Sequence, residues 1–323
     1  MSRVTLCTKL LLDSFAAELG VRLPTNFSAD MSLSKDDLAR MRDVLAAFRD
    51  QLAAFAQAYG PLPRAGSICE SELKTFVRQE SLHTAHSQTW ILMEVIADQL
   101  TAFVKTLMEP VETIAPYTCV RSLLEAAALA CWLLDPEIDA KIRVSRSLAL
   151  RFEGMDQQAR WAKAAGYDPA RGKQRLQDVI VVAAEMGYEP VIDARGRVSG
   201  AGQHMPSVTT LIHSVLDEEP LYRLLSAVAH GHTWALQQLS FQRAPEFDIA
   251  SPISGRNLSG VTKGTSGSAF ALLLLVAAQS FGRAVWLQAA YFGWDVAALV
   301  DILERSFDDL GASDSFRFWR AAT

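Results

Sequence analysis

The chain of 323 residues is half hydrophobic and 21% charged, a composition that supplies a large buried core and excludes wholesale disorder. Its net charge of −5 excludes non-specific coating of nucleic acid while leaving room for a local basic patch. The longest uninterrupted apolar run, Ala269 to Ala278, is far below the roughly 20 residues of a membrane-spanning helix.

The first nine residues lack the apolar stretch of a secretory signal. The four cysteines (Cys7, Cys69, Cys119, Cys131) form no Cys-x-x-Cys pair, as expected of a reduced cytoplasmic protein.

In chain order, the pattern is helical almost throughout. Leu38, Met41, Leu45, Phe48, Leu52, Phe55 and Tyr59 recur at three- and four-residue steps and form one stripe of a helix. Ser34 and Asp37 supply its start signal, and Gly60-Pro61 its stop. A second helical pattern runs from about Ser71 to Met108, with a break expected near Ser81. Its core face is read as Trp90, Ile91, Met93, Ile96, Leu100, Phe103 and Leu107.

Pro116 suits the first turn of a helix over Tyr117 to Leu134. Further helices are expected over Ile138–Ala165, Lys173–Met186, Ser207–Leu216 and Pro220–Leu239. Between them, Val191 to Ser199 reads as a small β-hairpin or a loop. Ala244 to Gly264 reads as a long loop, and loops of that length are usually functional. Ser268–Phe292 is apolar on nearly every side and is expected to be the central buried helix. Val296–Phe307 closes the fold, ahead of a dozen frayed residues. The expected fold class is an all-α helical bundle, with an N-terminal helical extension (1–110) packed on a core (111–323).

Nine basic residues lie between Asp139 and Arg175, against four acidic ones, with Phe152 and Trp161 interleaved. One reading is a face that holds phosphates while an aromatic ring stacks on a base. The other is a solvated face whose arginines pair with acidic neighbours.

Metal and nucleotide motifs fail on spacing. Glu80-x-x-His83 has no second copy of the kind a di-metal bundle needs. His83/His86 and His230/His232 gain no further ligands. Gly255 to Thr262 has P-loop glycine spacing, but Val261 replaces the lysine. Lys263, Ser266 and Ser268 read as the start of the next helix. No metal and no cofactor are expected. Ser226 lacks the strand-to-helix elbow of a serine nucleophile.

The segment with chemistry in it runs from Leu221 to His232. On a helix, Arg223, Ser226 and His230 stand at i, i+3 and i+7 and share a face, which Tyr222 borders. A histidine can give or take a proton at neutral pH, and a fixed arginine can hold a phosphate and stabilise charge on its oxygens. Together they suffice for metal-free cleavage of RNA, whose ribose 2′-hydroxyl attacks the adjacent phosphate. On the preceding core helix, Arg121 and Glu125 sit at i and i+4. They read as an ordinary ion pair, or as a pair in which Glu125 orients Arg223 or His230.

Arg223, six intervening residues and His230 resemble the arginine–histidine motif of the HEPN superfamily of all-α proteins. Arg121-Ser122-Leu123-Leu124-Glu125, followed by Tyr222-Arg223-Leu224-Leu225-Ser226 and His230, resembles an uncharacterised bacterial group of HEPN-like type. The resemblance covers roughly residues 115 to 240. It implies a homodimer acting on RNA through a composite site, with Arg223 and His230 catalytic and Tyr222, Ser226, Arg121 and Glu125 in contact with substrate. Many catalytic members carry a polar residue directly after the arginine, where this chain has Leu224. The other reading of the same residues is a non-catalytic helical module that binds a protein or ligand. In that reading Arg223 is tied up in a salt bridge and His230 caps a helix before Gly231. A DNA-binding pair of helices over Ser207–His230 is disfavoured by the acidic junction Asp217-Glu218-Glu219.

Overall fold

The computed structural model describes residues 35–243, 249–250, 257–258, 261–264 and 267–309. Ser34, Cys7, the last dozen residues and most of 244–260 therefore lie outside the described residues. Among those described there are eleven helices, in an all-α arrangement with three small antiparallel strand pairs.

Helix α1 spans Lys35–Tyr59 and buries the expected stripe through Leu45, Phe48, Leu52 and Phe55. Gly60, at φ +68°, ends it, a left-handed conformation that costs glycine nothing. The next helical pattern is split in two. Helix α2 covers Ile68–Thr75, with the Ser67 hydroxyl accepting from the Glu70 N–H at 3.1 Å. Helix α3 covers Gln79–Thr106, so the break falls at residues 76–78 rather than near Ser81. The core face of α3 runs through Leu82, Ala85, His86, Thr89, Met93, Ile96, Leu100 and Phe103. Ile91, expected in that face, is 63% exposed. At about 100° per residue it lies some 200° from Met93; apolar identity had outweighed register.

Helix α4 (Ala115–Leu133) carries Pro116 in its first turn and buries twelve of its nineteen residues. It packs against α3, against α5 (Ala140–Ala164), and against helices further along the chain. Helix α5 opens on Asp139, whose carboxylate accepts from the Ile142 N–H at 2.8 Å. It forms a hairpin with α6 (Ala170–Glu185).

Strands β1 (Pro190–Ile192) and β2 (Val198–Ala201) form the expected small hairpin. They are followed by α7 (Val208–Leu216), α8 (Glu219–Ala229) and α9 (Thr233–Leu239). The single helix expected over Pro220–Leu239 is thus two, parted at His230-Gly231-His232. The segment read as a long loop contains paired strands. Strand β3 (Phe241–Arg243) pairs with β6 (Val261–Lys263), and β4 (Ile249–Ala250) pairs with β5 (Asn257–Leu258). Its Gly, Pro and Ser residues had masked two nested antiparallel pairings.

Helix α10 (Gly267–Phe292) is buried as expected, and α11 (Val296–Asp309) follows it. Ala269–Phe292 is long and apolar enough by composition to cross a membrane, alone in this among the described residues. However, 72% of its most apolar stretch is buried inside the fold, which makes it a core helix. A single apolar cluster runs from Leu45 on α1 to Phe307 on α11, and α4 and α10 pass through it together. A smaller cluster (Leu82, Val144, Leu148, Phe152, Val179, Ala183, Tyr188, Ala201) seats the α5–α6 hairpin and β2.

Candidate functional site

Helix α7 ends at Asp217 in the left-handed conformation, φ 57°. Helix α8 then starts at Glu219 with Pro220 in its first turn, which suits the fixed φ of proline. The apolar stripe of α8 (Leu221, Leu225, Val228) turns its opposite side to water.

Tyr222, only 6% exposed, points back towards α4 and donates its hydroxyl to Glu125 Oε1 at 2.8 Å. The same oxygen accepts from the Arg121 guanidinium at 2.7 Å, and that guanidinium lies 5.7 Å from the centre of the Tyr222 ring. Burial raises the Tyr222 phenol above its ordinary range, and the bond to Glu125 adds to this. Glu125 therefore orients Tyr222, and neither Arg223 nor His230. One residue along a helix is a turn of about 100°, so with Tyr222 facing α4, Arg223 faces outward.

Arg223 is exposed, and its guanidinium is held by Glu219 at 2.7 Å. The other oxygen of Glu219 lies 3.3 Å from His213 Nδ1. Ser226 is half-buried. His230 is one residue past the last helical position. Its backbone N–H still bonds the Ser226 carbonyl at 3.0 Å, so its Cα continues the helical path. Seven residues at 100° leave His230 about 20° from Arg223 around the axis and about 10 Å along it. Both side chains are exposed, and no hydrogen bond joins them among the described residues. Gly231, at φ +72°, then reverses the chain, and the His232 ring lies 6.5 Å from the His230 ring. The structure thus brings Arg121, Glu125 and Tyr222 into one contact, with Arg223, Ser226 and His230 on the neighbouring solvent face. The salt bridge and the helix cap of the non-catalytic reading are both present.

The basic segment dissolves in part. Arg143 is 1% exposed and spends its donors on Glu72 and on the carbonyls of Leu133, Asp135 and Ile138. Arg146 bonds the Trp132 carbonyl at 2.5 Å and the Asp135 carboxylate at 3.0 Å. Two of the nine cations therefore satisfy the unpaired carbonyls at the C-terminus of α4. Arg143 is sealed from any phosphate.

Sequence reasoning missed a hydrogen-bonded cluster of the interior. Tyr291 donates to Glu72 Oε2 at 2.6 Å, and His86 Nε2 lies 2.9 Å from the same hydroxyl oxygen. The phenol has one proton and gives it to the carboxylate, so His86 donates from Nε2. Arg143 lies 4.2 Å from the Tyr291 ring centre, and the fully buried Cys69 Sγ is 3.6 Å from His86 Nε2.

A cysteine beside a histidine suggests a nucleophile, but the electrostatics run the wrong way. Burial pushes the Cys69 thiol up to about 12 and the His86 imidazole down to about 4. A thiolate–imidazolium pair needs the reverse. The cluster ties α2, α3, α5 and α10 together. The available signal was Cys69, Glu72 and Leu73 at helical spacing beside His86 on the α3 core face. The partners, however, come from residues 143 and 291, which no local pattern links.

Among the described residues, no group of three or more histidine, cysteine or acidic side chains is placed to hold a metal. A cavity of about 460 Å3 between α1 and α11, lined by Asp36, Arg40, Asp43, Phe48, Ser306 and others, includes none of the α8 residues. Compared with known proteins, the chain matches no family model, no curated protein and no solved structure.

Proposed function

We propose that the chain is a metal-independent ribonuclease of HEPN type, acting in the cytoplasm as a homodimer. Arg223 holds the scissile phosphate and His230 moves the proton, while Tyr222, Ser226, Arg121 and Glu125 contact the substrate. The ribose 2′-oxygen attacks phosphorus and its proton goes to a base. The 5′-oxygen leaves with a proton from an acid, and a 2′,3′-cyclic phosphate remains. One exposed imidazole cannot be both base and acid in the same step, and a two-fold copy of α8 supplies the second.

The observation that carries this reading is the exposure of Arg223 and His230 on one stripe of α8, a helix anchored to α4 through Tyr222 and Glu125. The Glu219–Arg223 pair is no obstacle. An exposed pair at this spacing contributes only about 0.3–0.5 kcal/mol, less than a charge-assisted bond from arginine to phosphate returns.

That same ion pair is the observation favouring the second reading, a non-catalytic module in which Glu219 keeps Arg223 for structure. Cleavage of RNA by EDTA-treated protein separates the two. On the nuclease reading, His230→Ala lowers the rate by about a hundred- to ten-thousand-fold, and Arg223→Ala lowers it as well. Cleavage by His230→Ala at the parent rate places the activity elsewhere. An inactive parent chain leaves the binding module.

A further inference from the structure

Residues 158–175, the turn between α5 and α6 with the helix ends that flank it, hold five cations (Arg160, Lys163, Arg171, Lys173, Arg175) against Asp168 alone, in a chain of net charge −5. All five are exposed. Arg160 is paired with Asp156 and Arg175 with the neutral Gln158 amide. Lys163, Arg171 and Lys173 have no ion-pair partner among the described residues. The first turn of α6 contains no acidic residue, and the Asp168 carboxylate, which accepts from the Ala170 N–H at 2.9 Å, is the one anion of this segment at that end. Arg171 and Lys173 stand where the helix dipole disfavours cations, and an anionic partner would add to what Asp168 supplies.

A second observation comes from the aromatic residues. Trp161 and Tyr167 lie with ring centres 5.8 Å apart and 41° between their planes. They are 62% and 64% exposed and belong to neither apolar cluster. Their backbone is fixed: the Tyr167 N–H bonds the Ala162 carbonyl at 2.8 Å, and Gly166 takes φ +77°. The helices behind them cross closely, since a side chain at Gly172 would meet the Ala159 backbone at 3.0 Å. Two exposed rings on a fixed turn, within a few residues of unpaired cations in the chain, are the side-chain types that unstacked bases on a phosphate chain require. A bilayer asks for something else. It needs contiguous apolar area, and apart from the small Ala164, Ala165 and Ala170 the other exposed side chains of this tip are polar or charged.

We infer that the α5–α6 tip is a docking surface for single-stranded polynucleotide, with Trp161 and Tyr167 stacking on bases and Lys163, Arg171 and Lys173 on phosphates. This surface is separate from the Arg223–His230 face and does not depend on cleavage there. The test is fluorescence anisotropy with a labelled 12-nucleotide RNA and the DNA of the same sequence. The protein is the full chain carrying His230→Ala, so that a cleavage result cannot be confused with a binding result.

Trp161→Ala is expected to weaken binding about tenfold, within the range for one stacked base, and the double variant with Tyr167→Ala further. Lys163→Gln with Lys173→Gln should lower the slope of log affinity against log salt by about 0.7 for each phosphate that is no longer neutralised. All four side chains are exposed, so thermal midpoints should stay at the parent value. Comparable affinity for RNA and DNA supports stacking; RNA alone, with the same variants defective, adds bonds to the 2′-hydroxyl. The inference is overturned by unchanged affinity in the aromatic double variant, by no binding at low salt, or by these side chains being needed only for anionic vesicles.

Discussion

At the scale of single residues, one buried and one half-buried acid–base group pull stability in opposite directions with pH. His86 is held down to about 4 by burial, with smaller contributions from the charges of His83 and Arg143. The unfolded chain, with its histidine near 6.5, takes up the proton first. Stability from this group is complete above pH 6.5 and is lost as pH falls towards 4, on the order of 3 kcal/mol in all. Glu218, the residue before α8, is pushed up to about 8 by burial and by Asp217. There the folded state holds the proton longer, so stability is complete below about pH 4.5 and is lost as pH rises towards 8. The two slopes offset each other between pH 4.5 and 6.5, and the parent protein should show a flat profile there. Variants expose the components. His86→Phe should be less stable at pH 7 yet lose the acid-side slope. Glu218→Gln should match the parent at pH 4.5 and exceed it by roughly 1–3 kcal/mol at pH 9. Urea unfolding at five pH values reads both, and parallel profiles for parent and variants would refute the assignment.

At the scale of elements, how much was legible depended on whether the signal was local. The stripe of α1, the Pro116 start of α4 and the Val191–Ser199 hairpin were readable because each is fixed within a few residues. Gly231 was visible too, yet its effect was underestimated, since apolar periodicity continued through Trp234, Ala235 and Leu236 on its far side. The same distinction holds at the candidate site. That Arg223, Ser226 and His230 share a face follows from spacing alone. That Glu125 meets Tyr222 depends on how α4 and α8 pack, which no spacing encodes. Arg143 shows the distinction most sharply: a charge count read it on a face that holds phosphates or on a solvated face paired with acidic neighbours, and the fold pairs it with Glu72 but buries it under the end of α4. Removing one member of a buried, hydrogen-bonded ion pair leaves the other uncompensated, at about 3–5 kcal/mol. Arg143→Met should cost that much, since Glu72 and the α4 carbonyls both lose their donor. Arg146→Met should cost less, its partner Asp135 being part-exposed. Thermal or denaturant unfolding ranks them, and equal small losses would show that the α4 terminus is satisfied in another way.

At the scale of the whole molecule, the question is whether the N-terminal helices are an appendage or part of the one core. The packing of Phe48 decides what to expect. Its ring, 1% exposed, meets Phe281 of α10 edge-on at 6.0 Å and Phe307 of α11 at 6.3 Å. Gly282 lets α11 lie close against α10 beside this ring, since a side chain there would come to 3.0 Å from Leu303 Cδ2. Residues more than 230 positions apart are therefore locked face to edge, and α1 cannot leave without opening the apolar surface of α10. Phe48→Ala should destabilise the protein by about 3–5 kcal/mol, the usual range for emptying a buried aromatic site. The loss should be shared by the entire chain. Far-UV circular dichroism reports all helices, and tryptophan fluorescence, read in a Trp294→Phe background because Trp294 stacks on Tyr59 of α1, reports Trp90, Trp132 and Trp286 on other helices. If α1 belongs to the common core, both probes shift to lower denaturant together and trace one transition. A variant in which part of the helical signal is lost early, while the fluorescence midpoint holds at the parent value, would make residues 35–59 a separately melting extension.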